Sequence, residues 1–366
     1  MLPYISEFRN APACRAIAAR MRELVRPGAE YNFMEFCGGH THAIMRYGIR
    51  QSLPEGVRMS SGPGCPVCVT AQQDIDAAIA LAGRDGVTIA SFGDMMRVPG
   101  SRGSLLEANA QGADVRVVYS VLDALKLAAD EPDRTVVFLA VGFETTAPGT
   151  AAAVLQAQAA GLSNFQVYCL HKLTPPAMRA IIEAGETRLS GILGPGHVTT
   201  VIGADAWSFL PSEYGIGCAI AGFEPADILL AVSELVRMAS SREPEVRNMY
   251  PRAATAAGNR AAQATMARVF EPAVADWRGL GPVPDSGLKL RPEYEAFDAE
   301  RQYCLERLAA REPTGCRCGE VLRGVLEPPG CPMFGSACTP DSPLGPCMVS
   351  SEGACAAYYE FGGEGV

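Results

Sequence analysis

The strongest constraint on the fold of this chain is a recurring pattern. A short, continuously apolar run is followed by a glycine-rich polar loop and then by a helix-sized stretch. Val87 to Phe92 runs into Gly93-Asp94, Thr135 to Val141 into Gly142-Phe143-Glu144, and Phe165 to Leu170 into His171-Lys172. Leu189 to Leu193 runs into Gly194-Pro195-Gly196-His197, and Cys218 to Ala221 into Gly222-Phe223-Glu224. Further strand and helix signals are Val115 to Tyr119, Leu122 to Ala129 and Ala147 to Ala160, with a last helix ending near Met238. Apolar runs without alternation are strands buried on both faces, and their alternation with helices predicts parallel sheets covered by helices. Tyr31 to Phe36 reads the same way and runs straight into Cys37-Gly38-Gly39-His40, after an amphipathic helix over 11–26 that Pro27-Gly28 stops. Ligands of open α/β sheets sit beyond the carboxyl ends of the strands. Every motif above falls at such an end, so a site is expected in a cleft between two α/β units.

The chain has 366 residues, enough for two or three domains. The expected division is an α/β domain over 29–130 carrying Cys37, Cys65 and Cys68, a second over 131–240, and a third unit over 241–366 that includes the N-terminal helix 1–28. With 48% hydrophobic and 19% charged residues each unit can bury a core. A net charge of −9 argues against nucleic-acid binding, which needs clustered Lys and Arg. No apolar run approaches a membrane span, and the N-terminus lacks a basic and apolar leader, so a cytoplasmic protein is expected.

In a reducing compartment, 13 cysteines point to metal or redox chemistry rather than to staples. Cys14, Cys169, Cys218 and Cys304 stand singly and read as small core hydrophobes. The other nine cluster. From 312 onward the chain is rich in Gly and Pro, weakly periodic, and carries Cys316, Cys318, Cys331, Cys338, Cys347 and Cys355. Such a segment has too little apolar surface to fold alone, and a metal would supply the missing free energy. After Cys318 the spacings are thirteen, seven, nine and eight, which suit neither the close cysteine pairs of structural zinc nor the compact ferredoxin run. An iron–sulfur cluster held by dispersed loops is the favoured reading, with zinc as the alternative. Cys318, Cys331, Cys338 and Cys355 are the expected ligands, because they span the segment and sit beside small or turn residues; Cys316 and Cys347 are the reserves.

Cys65-Pro66-Val67-Cys68 follows the Gly62-Pro63-Gly64 turn and precedes a helix expected over 70–82. A helix N-terminus favours thiolate, and Cys-X-X-Cys thiols there have pKa values of roughly 3.5–7.5. The pair is either a redox dithiol or half of a metal site. Cys37-Gly38-Gly39-His40-Thr41-His42 puts a thiol at a strand end, glycines that let a ligand approach the backbone, and two imidazoles that can donate, accept or ligate. Asp94 to Arg97, Glu144 to Thr146 and His197 either line the site or merely cap helices. There is no phosphate-binding loop.

These residues resemble the HypD family of hydrogenase maturation factors. The matching stretches are EFCGGHTHAI, SSGPGCPVCVT, SFGDMMRVPGS, AVGFETTAPGTA, GILGPGHVTTVIG, AGFEPADIL and CRCGEVLRGVLEPPGCPMFGSACTPDSPLGPCMVSSEGACAAYY, nearly end to end. The resemblance implies two α/β domains plus a domain holding a [4Fe–4S] cluster. It implies a scaffold, rather than a conventional turnover enzyme, that works with a small HypC-like protein to assemble an Fe(CN)2CO unit for [NiFe]-hydrogenase, with a HypE-like protein supplying cyanide. Cys37 is then a ligand to the nascent iron, and Cys65 and Cys68 the redox pair. From its place in the Cys37 motif, His40 is expected to orient groups or shuttle protons beside them. Two other classes remain open: a cluster-dependent protein disulfide reductase, and a passive iron carrier with a structural cluster.

Overall fold

A computed structural model describes residues 5–306 and 313–362. The ends of the expected third unit, and its interior at 307–312, lie outside the described residues. In chain order the parallel strands are β1 (Tyr31–Glu35), β2 (Val57–Ser61), β3 (Val87–Ser91), β4 (Asp114–Val117), β5 (Thr135–Ala140), β6 (Phe165–Cys169), β7 (Gly191–Pro195), β8 (Gly217–Ala221) and β9 (Val246–Asn248). They form two sheets, in the orders β2-β1-β7-β8-β9 and β4-β3-β5-β6, and every pairing within them is parallel. The expected α/β class with parallel sheets is therefore what the chain adopts.

The division at residue 130 does not follow the sheets. The first sheet takes β1 and β2 from one side of that boundary and β7 to β9 from the other, and β3 to β6 form a sheet inserted between them. The helix Ala11–Leu24 also packs elsewhere than expected. Its Met21, Ile17 and Cys14 lie against Ile228, Val232 and Leu235 of the helix Pro225–Ser241, in the core of the first sheet. An apolar stripe is buried by whichever partner face is available, and that face belongs to the first sheet.

Each sheet reverses its strand order once. In the first, β1 is followed by β2 on one side while β7 lies on the other; in the second, the same holds at β3 and β5. Connections leaving two such strands diverge, and the crevice between their carboxyl ends is where open α/β sheets bind ligands. Cys37 to His40 follow β1 and His197 follows β7; Asp94 follows β3 and Glu144 follows β5.

An antiparallel hairpin, β10 (Phe270–Trp277) and β11 (Gly281–Leu290), was not expected from the sequence. It packs beside the Cys65–Cys68 turn. Arg278, 3% exposed, donates to the Thr70 carbonyl at 3.1 Å and to Gln72 Oε1 at 2.9 Å, and its amide donates to Val69 O. Trp277 also stacks on Phe143 of the β5 loop. The cysteine-rich C-terminal segment is mostly turns and short helices, as its composition led us to expect. No described helix is long and apolar enough to cross a membrane.

Candidate thiol and metal site

β1 delivers Cys37 to the N-cap of the helix Gly38–Arg46, in extended backbone geometry. The Cys37 carbonyl accepts from the amides of His40 and Thr41, so the thiol leaves a fixed turn. Behind it lies Glu35, buried, whose carboxyl accepts from the Cys37 amide at 3.0 Å and from the Thr41 hydroxyl. Burial pushes the Glu35 carboxyl up to about 8. Cys37 is partly exposed, yet its surroundings desolvate it, and the charges of Glu352 and Glu35 add to that; its thiol is pushed up to about 12. In the metal-free protein this thiol is therefore protonated, and a cation placed against it would supply the missing positive charge.

Both glycines of the motif are required by contact. A Cβ on Gly38 would meet Glu352 Cβ at 2.5 Å, and one on Gly39 would meet the Phe223 ring at 3.0 Å. They let the C-terminal segment and the β8 loop close over Cys37. Glu352 was not singled out in the sequence, because nothing local marks a residue brought here by the far end of the chain.

Gly64 locks the second motif against the first. Its carbonyl accepts from Gly38 N at 2.9 Å, and a Cβ there would lie 2.3 Å from Cys37 N. Cys65 follows as N-cap of the short helix Pro66–Val69, its sulfur accepting from Cys68 N at 3.2 Å, and it is disulfide-bonded to Cys68. Cys65 thus sits at a helix N-terminus, though of this short helix and not of the one expected over 70–82, which begins at Gln72. Both cysteines are buried, and Cys68 Sγ lies 3.8 Å from the carbonyl of Pro346, the residue before Cys347.

His40 is fully buried and held neutral, its pKa pulled down to about 4 by desolvation. Nε2 sits 3.0 Å from Gly222 O and 3.3 Å from Ala221 O, so it is the protonated nitrogen, and Nδ1 keeps a lone pair with no partner among the described residues. The ring stacks on Phe223, and His197 stacks on the same phenyl ring at 3.8 Å. His42 instead holds the C-terminal segment: Nδ1 lies 3.2 Å from Ser351 O and the ring meets Phe361 edge-on. Arg97, in the turn after β3, donates to the Pro340 and Val349 carbonyls and fastens the same segment. Glu144 caps the helix Thr174–Ala184 through Thr174 N at 2.7 Å.

All six C-terminal cysteines line one small apolar chamber. Cys318 Sγ and Cys347 Sγ are 2.7 Å apart, and Leu344 N donates to Cys338 Sγ at 3.3 Å. Burial above all pushes the Cys316 thiol up, and contact with the sulfurs of Cys318 and Cys355 raises that of Cys347. Among the described residues no three of His, Cys, Asp and Glu converge on one ion-sized point. Sulfurs spread over the walls of an apolar chamber fit a polynuclear cluster better than a single ion. Of the lone cysteines, Cys218 is buried, Cys14 and Cys169 are half-buried, and Cys304 is exposed at φ +49°, against the expectation of a core residue. Its turn follows the helix Ala299–Gln302 and turns the thiol out of the core.

A family model described as HypD, hydrogenase formation hypA family, matches residues 12–362. The chain is 52% identical to the hydrogenase maturation factor HypD of Azotobacter vinelandii over 99% of its own length and 97% of the relative's. The corresponding values are 50%, 99% and 96% for the protein of that name from Rhizobium leguminosarum, and 46%, 98% and 98% for that from Escherichia coli. On a match of this extent, the chain belongs to the HypD family of hydrogenase maturation factors.

Proposed function

We propose that this maturation factor is the scaffold on which an Fe(CN)2CO unit is assembled, with Cys37 as the protein thiolate that holds the iron. The observation that carries the reading is contiguity. Gly64 packs Cys37 against the Cys65–Cys68 turn, and Cys68 in turn lies against Pro346 beside the cysteine chamber. Thiolate is a soft donor that suits low-spin iron carrying strong-field ligands. A HypC-like protein would bring its own cysteine to Cys37, and a HypE-like protein would deliver cyanide. His40 keeps an unprotonated Nδ1 beside the thiol's turn, which suits it to orient a ligand or accept a proton.

Cys318, Cys331, Cys338 and Cys355 would hold a [4Fe–4S] cluster, leaving Cys316 and Cys347 as flanking thiols. Bound there, such a cluster would supply single electrons. Opening the Cys65–Cys68 disulfide takes two electrons and two protons and yields two thiols. Exposures of 4% and 0% for these residues keep a bulky protein disulfide from reaching them, which favours internal use over a general disulfide reductase.

The test is infrared spectroscopy on the protein copurified anaerobically with its HypC-like partner. Bands of iron-bound CO and cyanide are expected in the wild type and absent in Cys37→Ala, with the visible cluster absorbance equal in both. Retention of the bands in Cys37→Ala would move the iron to Cys65 or Cys68 and overturn the assignment.

A further inference from the structure

A broad open groove lies at the amino ends of the first sheet, opposite the thiol site. It is lined by Arg26 before β1, Arg58 on β2, Arg188 before β7 and Arg242 before β9. All four are exposed, and none forms a salt bridge with a described residue, whereas Arg50, Arg237 and Arg323 nearby are each held by a carboxylate. Two carboxylates share the groove, Glu30 and Glu327, and Arg50 engages the latter. On a chain of net charge −9, four unpaired guanidinium groups around one depression form a distinctly positive feature.

A second observation marks Arg242. It ends the helix Pro225–Ser241 in the left-handed conformation, φ +61°, where glycine is the relaxed choice. An arginine kept in a strained backbone state at the rim of a groove points to use of its side chain.

We propose that this groove docks an extended, carboxylate-rich segment of a partner protein. Its dimensions select the occupant. Arg58 stands at the start of β2 and the other three precede β1, β7 and β9, so they are distributed along the amino-terminal edge of a five-stranded sheet, β2 to β9, which spans roughly 19 Å at about 4.8 Å per strand. A single phosphate meets at most one or two of them. An extended chain at about 3.3 Å per residue covers the distance in about six residues and sets alternate carboxylates against successive arginines. Because the groove is at the opposite end of the strands from Cys37, a partner held there leaves the thiol site open.

The experiment uses the full-length protein and a fluorescein-labelled hexaglutamate peptide, read by anisotropy. One-to-one binding is expected, weakening about tenfold or more between roughly 50 mM and 500 mM salt as screening sets in. Arg188→Glu with Arg242→Glu should weaken it about tenfold or more, while Arg268→Glu, exposed on the helix Arg260–Val269, should change it less than about twofold. Arg242→Gly guards against misfolding: it should raise the melting temperature by relieving the backbone and still weaken the peptide. Equal weakening by Arg268→Glu, or binding that never saturates, would reduce the effect to general attraction and overturn the proposal. Displacement by inorganic pyrophosphate at lower concentration than by unlabelled hexaglutamate would make the groove a small-anion site and overturn it as well.

Discussion

Gly64 is the residue on which the apposition of Cys37 and the Cys65–Cys68 pair depends, and Gly64→Ala tests that dependence. A Cβ at this position would lie 2.3 Å from Cys37 N, 2.5 Å from Phe36 C and 2.6 Å from Cys37 Cα. All three are backbone atoms, so no side chain can swing aside. Restoring ordinary contact requires the two strand-end loops to part by about 1 Å, which also stretches the Gly38–Gly64 hydrogen bond. Overpacking of this kind costs about 1–3 kcal/mol. With unfolding entropy of about 2.1 cal/mol/K per residue over 366 residues, each kcal/mol corresponds to roughly 1.3 °C, so Tm should fall by only about 1–4 °C. The functional loss should be far larger, since misplacing reacting groups by about 1 Å costs on the order of 100-fold. The assay is hydrogenase activity restored to cells lacking their own copy of this factor, with melting measured on the purified variant. Gly161→Ala is the control. It sits at φ +67° with nothing within 4 Å, so it loses comparable stability through backbone strain alone and should mature hydrogenase normally. Near-normal maturation by Gly64→Ala, or an equal defect in Gly161→Ala, would refute the claim that this contact sets the site.

Further outcomes concern the hairpin seal, the buried carboxyl and the cysteine chamber. Arg278→Met removes the donor that satisfies the Thr70 carbonyl and Gln72, so it should cost about 1–3 kcal/mol in denaturant unfolding. The same change should speed reduction of Cys65–Cys68 by a small thiol, because the hairpin no longer seals that turn. Glu35 holds a proton in the folded protein up to about pH 8, whereas the unfolded carboxyl releases it near 4.5. Its contribution is thus full below about 4.5 and lost as pH rises toward 8, and Glu35→Gln should flatten that part of the stability profile, read as denaturation midpoints at pH 5 and 8.5. Cys331→Ala should lose iron and visible absorbance together, while Cys316→Ala should keep both; a full cluster in Cys331→Ala would exclude it as a ligand.

Most of the strands legible in the sequence are buried on both faces; the edge strand β4 was legible too, because Val115, Val117 and Val118 carry its apolar run past Arg116. Thr135 to Ala140 and Phe165 to Cys169 read as strands because no polar residue interrupts their apolar character enough to disguise it. β2 escaped because Arg58 and its two serines break the run: it is an edge strand, and one edge of it faces solvent. The helix Thr174–Ala184 escaped because Pro175-Pro176 look like a break, although the first turn of a helix tolerates proline. The hairpin escaped for a related reason. Pro272, Pro282 and Pro284 are poor ladder residues, and a two-stranded ribbon leaves enough edge to accommodate them.

The candidate site divides along the same line. Cys37, His40, Cys65 and Cys68 were legible because each motif carries its chemistry within a few residues. Glu35 lay inside the quoted motif and Glu352 inside the C-terminal one, yet neither stood out, since their effect on Cys37 arises from burial and approach in space. Sheet membership was the hardest to read, because β7 to β9 return to a sheet that β1 and β2 began and β3 to β6 interrupt. That return also explains the constellation. It sets β7 beside β1 with its order reversed, so the loop carrying Cys37 and His40 faces the loop carrying His197, and Phe223 from β8 stacks between the two imidazoles. Had the chain kept the two sheets in chain order, β1 would have no β7 neighbour, and the thiol at its end would lack the wall that buries His40 and holds its Nδ1 free.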